Sequence, residues 1–178
     1  MREVIRFCRE ALDEGATPVL LAHSLGKSQE LLRGLAGAGL SLRLHDKAHE
    51  LTRIYEQFGH TFPAFDRFAE DEPGGQVVIG PPRLARTAML AKLGRLRTAI
   101  LTGWALDSGC RFRSGTDAAF AFSDHADFNE LIEFVWQVAP RRVFTLHGFA
   151  ADFARTLRQL GFEAQALSES EQLELALD

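Results

Sequence analysis

The sequence has few of the features of a secreted or membrane-bound protein. Only two of its 178 residues are cysteines, Cys8 and Cys110, and their spacing fits neither a disulfide framework nor a metal motif. No apolar run reaches the roughly 18 residues that a membrane-spanning helix needs. The N-terminus is charged throughout and has no apolar signal core. We therefore expect a soluble, cytoplasmic protein with no membrane partner.

The sequence also lacks a positive net charge. The formal charge is −4 and the isoelectric point is near 5.9. This balance argues against a free-standing basic nucleic-acid binder, because phosphate neutralisation needs clustered Lys and Arg. A nuclease whose phosphate contacts run through metal ions is not excluded. The length allows one good core or two small lobes that share a sheet.

Short apolar runs alternate along the chain with segments of helical spacing. The predicted strands lie at residues 17–22, 40–44, 76–79, 98–101, 118–122, 142–146 and 163–167. The predicted helices lie at residues 3–13, 24–37, 47–58, 83–93, 128–138 and 150–160. This alternation is typical of βαβ units and predicts an α/β fold with a mostly parallel sheet and flanking helices.

Three further segments carry structural expectations. The helix at 47–58 is predicted to bury Leu51, Ile54, Tyr55 and Phe58. Residues 60–75 are predicted to form an irregular loop with an aromatic anchor. The Gly- and Ser-containing stretch at 103–115 suggests a subdomain boundary near residue 110, and the acidic residues 168–178 are compatible with a helix.

The first candidate site follows the predicted strand at 118–122. Its residues 123–127 read Ser-Asp-His-Ala-Asp, so His125 stands between the carboxylates of Asp124 and Asp127. Carboxylates beside a histidine can fix its tautomer and raise its pKa, which suits proton transfer. Ligands of open α/β sheets gather beyond the carboxyl ends of strands. Asp127 is also placed to cap the helix that follows.

The second candidate is His147, at the end of the predicted strand at 142–146. Gly148 follows it and lets the backbone turn into the next helix. Neutral imidazole at a strand end is a common zinc ligand. If the strands at 118–122 and 142–146 are parallel neighbours, both histidines emerge at one edge of the sheet. A single histidine at a strand end is more often a capped or exposed residue, and for the pair both interpretations stay open.

The two histidine motifs together resemble the C-terminal signature of the β-CASP branch of the metallo-β-lactamase fold. The segment at 18–32 resembles the strand and helix that open the inserted β-CASP domain, and those at 77–82 and 101–104 resemble its later strands. The similarity covers nearly the whole chain and is greatest to the DNA ligase-associated exonucleases, within a branch that also includes RNA end-processing nucleases. It implies a β-CASP-like subdomain at 1–110, then a βαβαβ lactamase-type segment at 111–178.

The resemblance also implies roles for single residues. His147 matches a ligand to one of two zinc ions, and His125 matches a histidine that stabilises charge on the scissile phosphate or protonates the leaving group. Two zinc ions would share a bridging hydroxide and hold the phosphate oxygens of DNA or RNA, with exonuclease action favoured. We assign Asp124 and Asp127 to the shell that orients these groups.

The main metal motif of that family, His-x-His-x-Asp-His, does not occur in this sequence. The resemblance implies zinc in the complete enzyme, but this chain alone lacks most of the ligands and is not expected to hydrolyse phosphodiesters. Such a chain would be a truncation, a split gene product or a degenerate relative. Its uncovered apolar face predicts either a homodimer or association with the missing N-terminal half.

Other motifs have simpler interpretations. The residues from Ser24 to Ser28 lack the first glycine of a phosphate-binding loop, so we expect a strand-to-helix turn. His45 and His49 have the spacing of a ligand pair but fit an exposed helix start better. A local excess of arginine could line a nucleic-acid channel or be ordinary surface charge: Arg83, Arg86, Arg95, Arg97, Arg111 and Arg113.

Two functions from other classes remain open. One is a non-catalytic α/β module that binds nucleic acid or protein. The other is a small-molecule enzyme that uses His125 as a general base without metal.

Overall fold

The computed structural model describes residues 1–69, 74–123 and 125–167. The chain divides into two compact units, Met1–Asp124 and His125–Asp178, here called unit 1 and unit 2. This division falls after residue 124, whereas the sequence suggests a boundary near residue 110. The assignment of the two segments to β-CASP-like and lactamase-type lobes stays a prediction. The predicted C-terminal helix at 168–178 lies outside the described residues.

Unit 1 contains a six-stranded, all-parallel sheet in the order β3-β2-β4-β1-β5-β6. Its strands are β1 Thr17–Leu21, β2 Leu42–Leu44, β3 Phe65–Arg67, β4 Val77–Gly80, β5 Leu96–Thr102 and β6 Ala118–Ala121. Its α-helices are α1 Arg2–Asp13, α2 Lys27–Gly34, α3 Asp46–Gln57 and α4 Cys110–Ser114. The predicted α/β class with flanking helices is confirmed.

Both faces of the sheet in unit 1 are covered, as a parallel sheet requires. In the central strand β1, Leu20 points into a core that includes the apolar residues of α1, α2 and α3. Its neighbours Val19 and Leu21 point into a second core, with Leu84 and Leu90 from two 3-10 helices. A strand buried on both faces explains why residues 17–22 read as a continuous apolar run rather than an alternating one.

The predicted helix at 83–93 is wrong in type. The structure has two 3-10 helices instead, Pro82–Arg86 and Ala88–Leu93. Thr87 separates them in an extended conformation, and its hydroxyl donates to the carbonyl oxygen of Leu84 at 2.8 Å. The β-branched Thr87 and its local hydrogen bond offer the backbone an alternative to a continuous α-helix.

The predicted irregular loop at 60–75 is wrong in one part, because it contains the edge strand β3. Leu42 lies opposite Phe65 and Leu44 lies opposite Arg67. Arg43 of β2 pairs with the Asp66 carboxylate across the two strands. The aromatic anchor is confirmed, since Phe65 and Phe68 are both buried.

The predicted core face of α3 is wrong for Ile54 and Phe58, which are exposed, and Leu51 and Tyr55 are only half-buried. Ala48 and Thr52 are the buried residues of this helix, whereas Phe58, which caps its C-terminal end, is 81% exposed. The Thr52 hydroxyl donates to the Ala48 carbonyl at 2.7 Å and accepts a hydrogen bond from Gln29 Nε2 of α2 at 2.8 Å. This buried polar contact turns the small, mixed face of α3 toward α2, which a count of large apolar residues does not detect.

The helix α2 begins later than predicted. Gly26 precedes it with φ +74°, a left-handed conformation that turns the chain from β1 into the helix. Residues 24–26 are therefore a turn, and the helix starts at Lys27.

Unit 2 contains two helices and a two-stranded parallel sheet. These elements are α5 Phe128–Val138, β7 Val143–Thr145, α6 Ala150–Gln159 and β8 Ala164–Ala166. Their positions agree with the predicted segments within a few residues. The core of unit 2 consists of Val135 from α5, Ala154 and Leu157 from α6, and Ala164 from β8.

The sequence leaves open whether the strands now labelled β6 and β7 are parallel neighbours, and in the structure they belong to different sheets. Among the described strands, β6 pairs with β5, and β7 pairs with β8. Apolar side chains hold β6 to unit 1, since Ala118 and Phe120 pack against the first core and the Phe120 ring lies 5.7 Å from that of Phe7.

In the part of the chain that is described, no helix is long and apolar enough to cross a membrane.

Candidate functional site

The first histidine segment leads from β6 into α5. His125 lies exposed in a bend three residues before the helix, and Asp124 lies outside the described residues. Just upstream, Ser123 lies against Gly103. A side chain at position 103 would contact the Ser123 hydroxyl oxygen, at 3.4 Å from its Cβ. The ends of β5 and β6 thus approach each other closely where the His125 segment begins.

Asp127 is the N-cap of α5 and forms a complete capping box. Its side-chain Oδ1 accepts a hydrogen bond from the Glu130 amide at 2.9 Å, and Glu130 Oε2 accepts one from the Asp127 amide at 2.8 Å. These bonds satisfy two amide donors that a helix start otherwise leaves unpaired. The predicted capping role of Asp127 is confirmed. Its role in orienting His125 stays a prediction.

The second histidine, His147, lies exposed in the turn between β7 and α6. Its φ is +65°, a left-handed conformation that is uncommon for residues other than glycine. Gly148 follows with φ +57° and nothing within 4 Å of the position of a Cβ. Strained backbone of this kind often occurs at functional sites.

Thr145 fixes this turn and was not singled out from the sequence. Its side chain is buried, and its hydroxyl donates to the Ala150 carbonyl at 2.8 Å. The bond joins the end of β7 to the first residue of α6, so it closes the turn that contains His147. A threonine two residues before the histidine is the only signal that the sequence offers for this role.

The two histidine segments lead into neighbouring helix starts in unit 2. Phe128 is the first residue of α5 and Phe153 lies in the first turn of α6, and their rings meet edge to face with centroids 5.6 Å apart. His125 and His147 each lie a few residues before these helices. The structure therefore places His125 and His147 near the same end of the α5–α6 pair, although the strands before them belong to different sheets.

The described residues do not by themselves fit a zinc site. Within residues 1–69, 74–123 and 125–167, no group of three His, Cys, Asp or Glu side chains comes together as a metal site requires. His147 offers one exposed imidazole, and His125 offers a second near the same helix starts. A complete zinc site would need further ligands.

The pair His45 and His49 is not arranged as a ligand pair. His45 precedes α3, and its Nδ1 accepts a hydrogen bond from the Lys47 amide at 3.4 Å. The His49 ring stacks edge to face on Phe65. Burial lowers the pKa of both histidines, and Arg83 and Arg67 lower that of His45 further against the opposing charge of Asp46. Both imidazoles are therefore neutral at pH 7 and serve as packing and capping groups.

The segment at 24–28 is a closed turn rather than a phosphate-binding loop. The amide of Lys27 donates to the Leu25 carbonyl, and the amide of Ser28 donates to the His23 carbonyl. The Ser28 hydroxyl also donates to the His23 carbonyl, at 2.7 Å. A phosphate-binding loop would present such amide and hydroxyl donors to its ligand. In this turn they donate to carbonyl oxygens of the chain itself.

The arginines of the middle segment lie at opposite ends of β5. Arg95 and Arg97 lie at its amino end, where both pair with Glu14. Arg83 and Arg113 line one cleft near its carboxyl end. These four arginines therefore form two separate groups rather than one basic surface.

Residues 118–167 match a protein family described as the Zn-dependent metallo-hydrolase RNA specificity domain (RMMBL). The match contains β6, the His125 segment, the His147 turn and β8, and it supports a metallo-β-lactamase or β-CASP family. The chain is also similar to a "Probable DNA ligase" of Opitutus terrae (strain DSM 11246 / JCM 15787 / PB90-1), with 48% identity over 177 residues. That alignment covers 99% of this chain but only 17% of the relative's length.

Proposed function

We propose that this chain is the C-terminal portion of a zinc-dependent nuclease that hydrolyses phosphodiester bonds of DNA or RNA. The observation that carries the proposal is the match over residues 118–167, because this segment contains both His125 and His147. The family's description associates such segments with zinc-dependent hydrolysis and with RNA. The name of the similar protein associates that protein with DNA, so both nucleic acids are candidate substrates.

In this proposal, His147 donates one imidazole nitrogen to a zinc site whose other ligands lie outside the described residues. Its exposure and its place in a turn closed by Thr145 support that role. The metal would supply Lewis-acid chemistry and a hydroxide nucleophile to the complete enzyme. His125 would donate an N–H to a phosphate oxygen or to the leaving oxygen, and Asp127 would hold its segment through the helix cap.

A second candidate function is a non-catalytic module that binds nucleic acid or protein. The observation in its favour is that no three metal-ligating side chains come together within the described residues. This module would keep the matched fold but would not need His147 as a ligand.

The test supplies the chain with a lactamase-type N-terminal half that carries His-x-His-x-Asp-His. Zinc content and release of nucleotides from single-stranded DNA and RNA are then measured. Replacing His147→Ala should lower the zinc content and reduce cleavage by at least the roughly 10- to 100-fold that outer-shell metal partners cause. Replacing His125→Ala should keep the zinc and reduce cleavage about 100-fold or more, the usual contribution of proton transfer.

The matched control is His60→Ala, since His60 is an exposed histidine of unit 1 that contacts Arg33. It should change neither zinc content nor cleavage. A well-folded chimera without zinc-dependent cleavage would overturn the nuclease proposal and favour the binding module.

A further inference from the structure

Unit 1 contains a cleft of about 580 Å³ that no part of the proposed chemistry uses. Its floor is formed by Leu21 at the end of β1 and Ile100 of the neighbouring strand β5. From β1 the chain crosses toward β2 on one side, whereas from β5 it crosses to β6 on the other side. Open α/β sheets bind their ligands where the connections of neighbouring strands diverge in this way.

Two arginines line this cleft, and one of them is paired with a carboxylate. Arg113 extends from α4 and is held by Asp107, whose carboxylate accepts a bond from Arg113 Nη2 at 2.9 Å. That bond and the Gly109 amide lower the pKa of Asp107, so its carboxylate is ionised beside Arg113 at neutral pH. Arg83 extends from the 3-10 helix after β4, and among the described residues no carboxylate forms an ion pair with it. Within the described part of the chain, the Arg83 guanidinium thus lines the cleft without a compensating carboxylate.

Exposed aromatic rings lie on both sides of Arg113. Phe112 lines the cleft and is 76% exposed, and the Arg111 guanidinium lies 4.8 Å from its ring centroid. A second cleft of about 500 Å³ shares Ile100, Arg113 and Ser114 with the first and is lined by Trp104, which is also 76% exposed. The order aromatic, arginine, aromatic matches the alternation of bases and phosphates along a nucleic-acid strand.

We propose that these joined clefts bind a single strand of nucleic acid, with one phosphate at Arg83 and Arg113 and one base stacked on Phe112. The next base would lie toward Trp104. A duplex fits this arrangement poorly, because its base faces are already stacked on one another. The inference rests on the proposed function only for the choice of nucleic acid as the anionic, aromatic ligand.

The test measures the fluorescence anisotropy of a labelled single strand of about 12 nucleotides, a length within the span of single-stranded binding sites. The full chain is used with EDTA present, so that no metal-dependent cleavage occurs. Phe112→Ala should weaken binding about fivefold or more, the loss expected for one stacked base. Arg83→Gln should weaken binding and reduce the slope of log affinity against log salt by about 1.

The matched control is Arg95→Gln, which removes the same charge at the opposite end of β5, where Arg95 pairs with Glu14. It should leave the affinity and the salt slope close to those of the wild type, and circular dichroism should show that all variants are folded. Three results would each overturn the proposal: no binding by the wild type, equal losses in Arg83→Gln and Arg95→Gln, or equal affinity for a duplex. Failure of the nuclease chimera with intact strand binding would overturn the proposed function and leave this site standing.

Discussion

The backbone of His147 has a left-handed conformation that residues other than glycine rarely adopt. At φ +65° the Cβ of an L-residue is crowded by its own backbone, which costs on the order of 1 kcal/mol. Asn adopts this conformation more readily than most residues because its short side chain can form local hydrogen bonds. If the imidazole at position 147 serves to bind a ligand, its presence there lowers the free energy of unfolding.

We therefore predict that His147→Asn leaves the free energy of unfolding unchanged or raises it by up to about 1 kcal/mol. When the chain is complemented with the lactamase-type N-terminal half, the same variant should bind less zinc and cleave nucleic acid more slowly. The free energy of unfolding is measured by urea denaturation. Ala139→Gly serves as the control, because the backbone of Ala139 is also left-handed, at φ +46°, and Ala139 lies outside the candidate site. A loss of more than about 1 kcal/mol in His147→Asn would mean that the imidazole is a structural group.

At the scale of helices and strands, local signals predicted more than long-range ones. The bounds of α5 could be read from the sequence because Asp127 and Glu130 form a capping box at its start. The break at Thr87 and the strand β3 could not, since each depends on a contact or partner strand that apolar spacing does not encode. The pairing of β6 could not be predicted for the same reason: it depends on Phe120 packing against Phe7, which lies far away in the sequence.

The candidate site shows the same division. His125 and His147 could be singled out because each follows an apolar run and precedes a helix. The left-handed backbone of His147 and the bond from Thr145 to Ala150 could not be predicted, because both are properties of the folded turn.

The capping box lets the two roles of Asp127 be separated. Asp127→Ala removes the acceptor of the Glu130 amide and should destabilise unit 2 by about 1 kcal/mol. Asp127→Asn keeps an acceptor oxygen and should destabilise unit 2 by only a few tenths of about 1 kcal/mol. A Trp104→Phe background leaves Trp136 of α5 as the remaining tryptophan, so its fluorescence during urea unfolding reports on unit 2.

The same pair of variants tests the predicted orienting role. If the Asp127 carboxylate orients His125, Asp127→Asn should lower cleavage by the complemented enzyme while unit 2 keeps its stability. Equal cleavage by Asp127→Asn and wild type would limit Asp127 to helix capping.

On the scale of the whole molecule, the described part of unit 2 exposes several large apolar side chains. Its two-stranded sheet is packed against helices through Val143 and Ala164, whereas Phe144 on the other face is 43% exposed. Parallel sheets are normally covered on both faces. Along α5, Leu131, Phe134 and Val138 fall on one side of the helix and are exposed as well.

This apolar surface predicts that the chain self-associates when it is studied alone. Its apparent mass in light scattering should rise with concentration, because contact between copies removes Phe134 and Phe144 from water. Phe134→Gln and Phe144→Gln, separately and together, should shift the mass toward the monomer without lowering the unfolding free energy by more than about 0.5 kcal/mol, as is usual for exposed positions.

Phe58→Gln is the matched control for this experiment, since Phe58 is 81% exposed but belongs to unit 1. It should leave the association unchanged if the contact lies on unit 2. Adding the lactamase-type N-terminal half should suppress the association of the wild type as well, because that half would cover the same face. A monomer at every concentration, or an equal effect of Phe58→Gln, would show that the exposed face of unit 2 does not drive association.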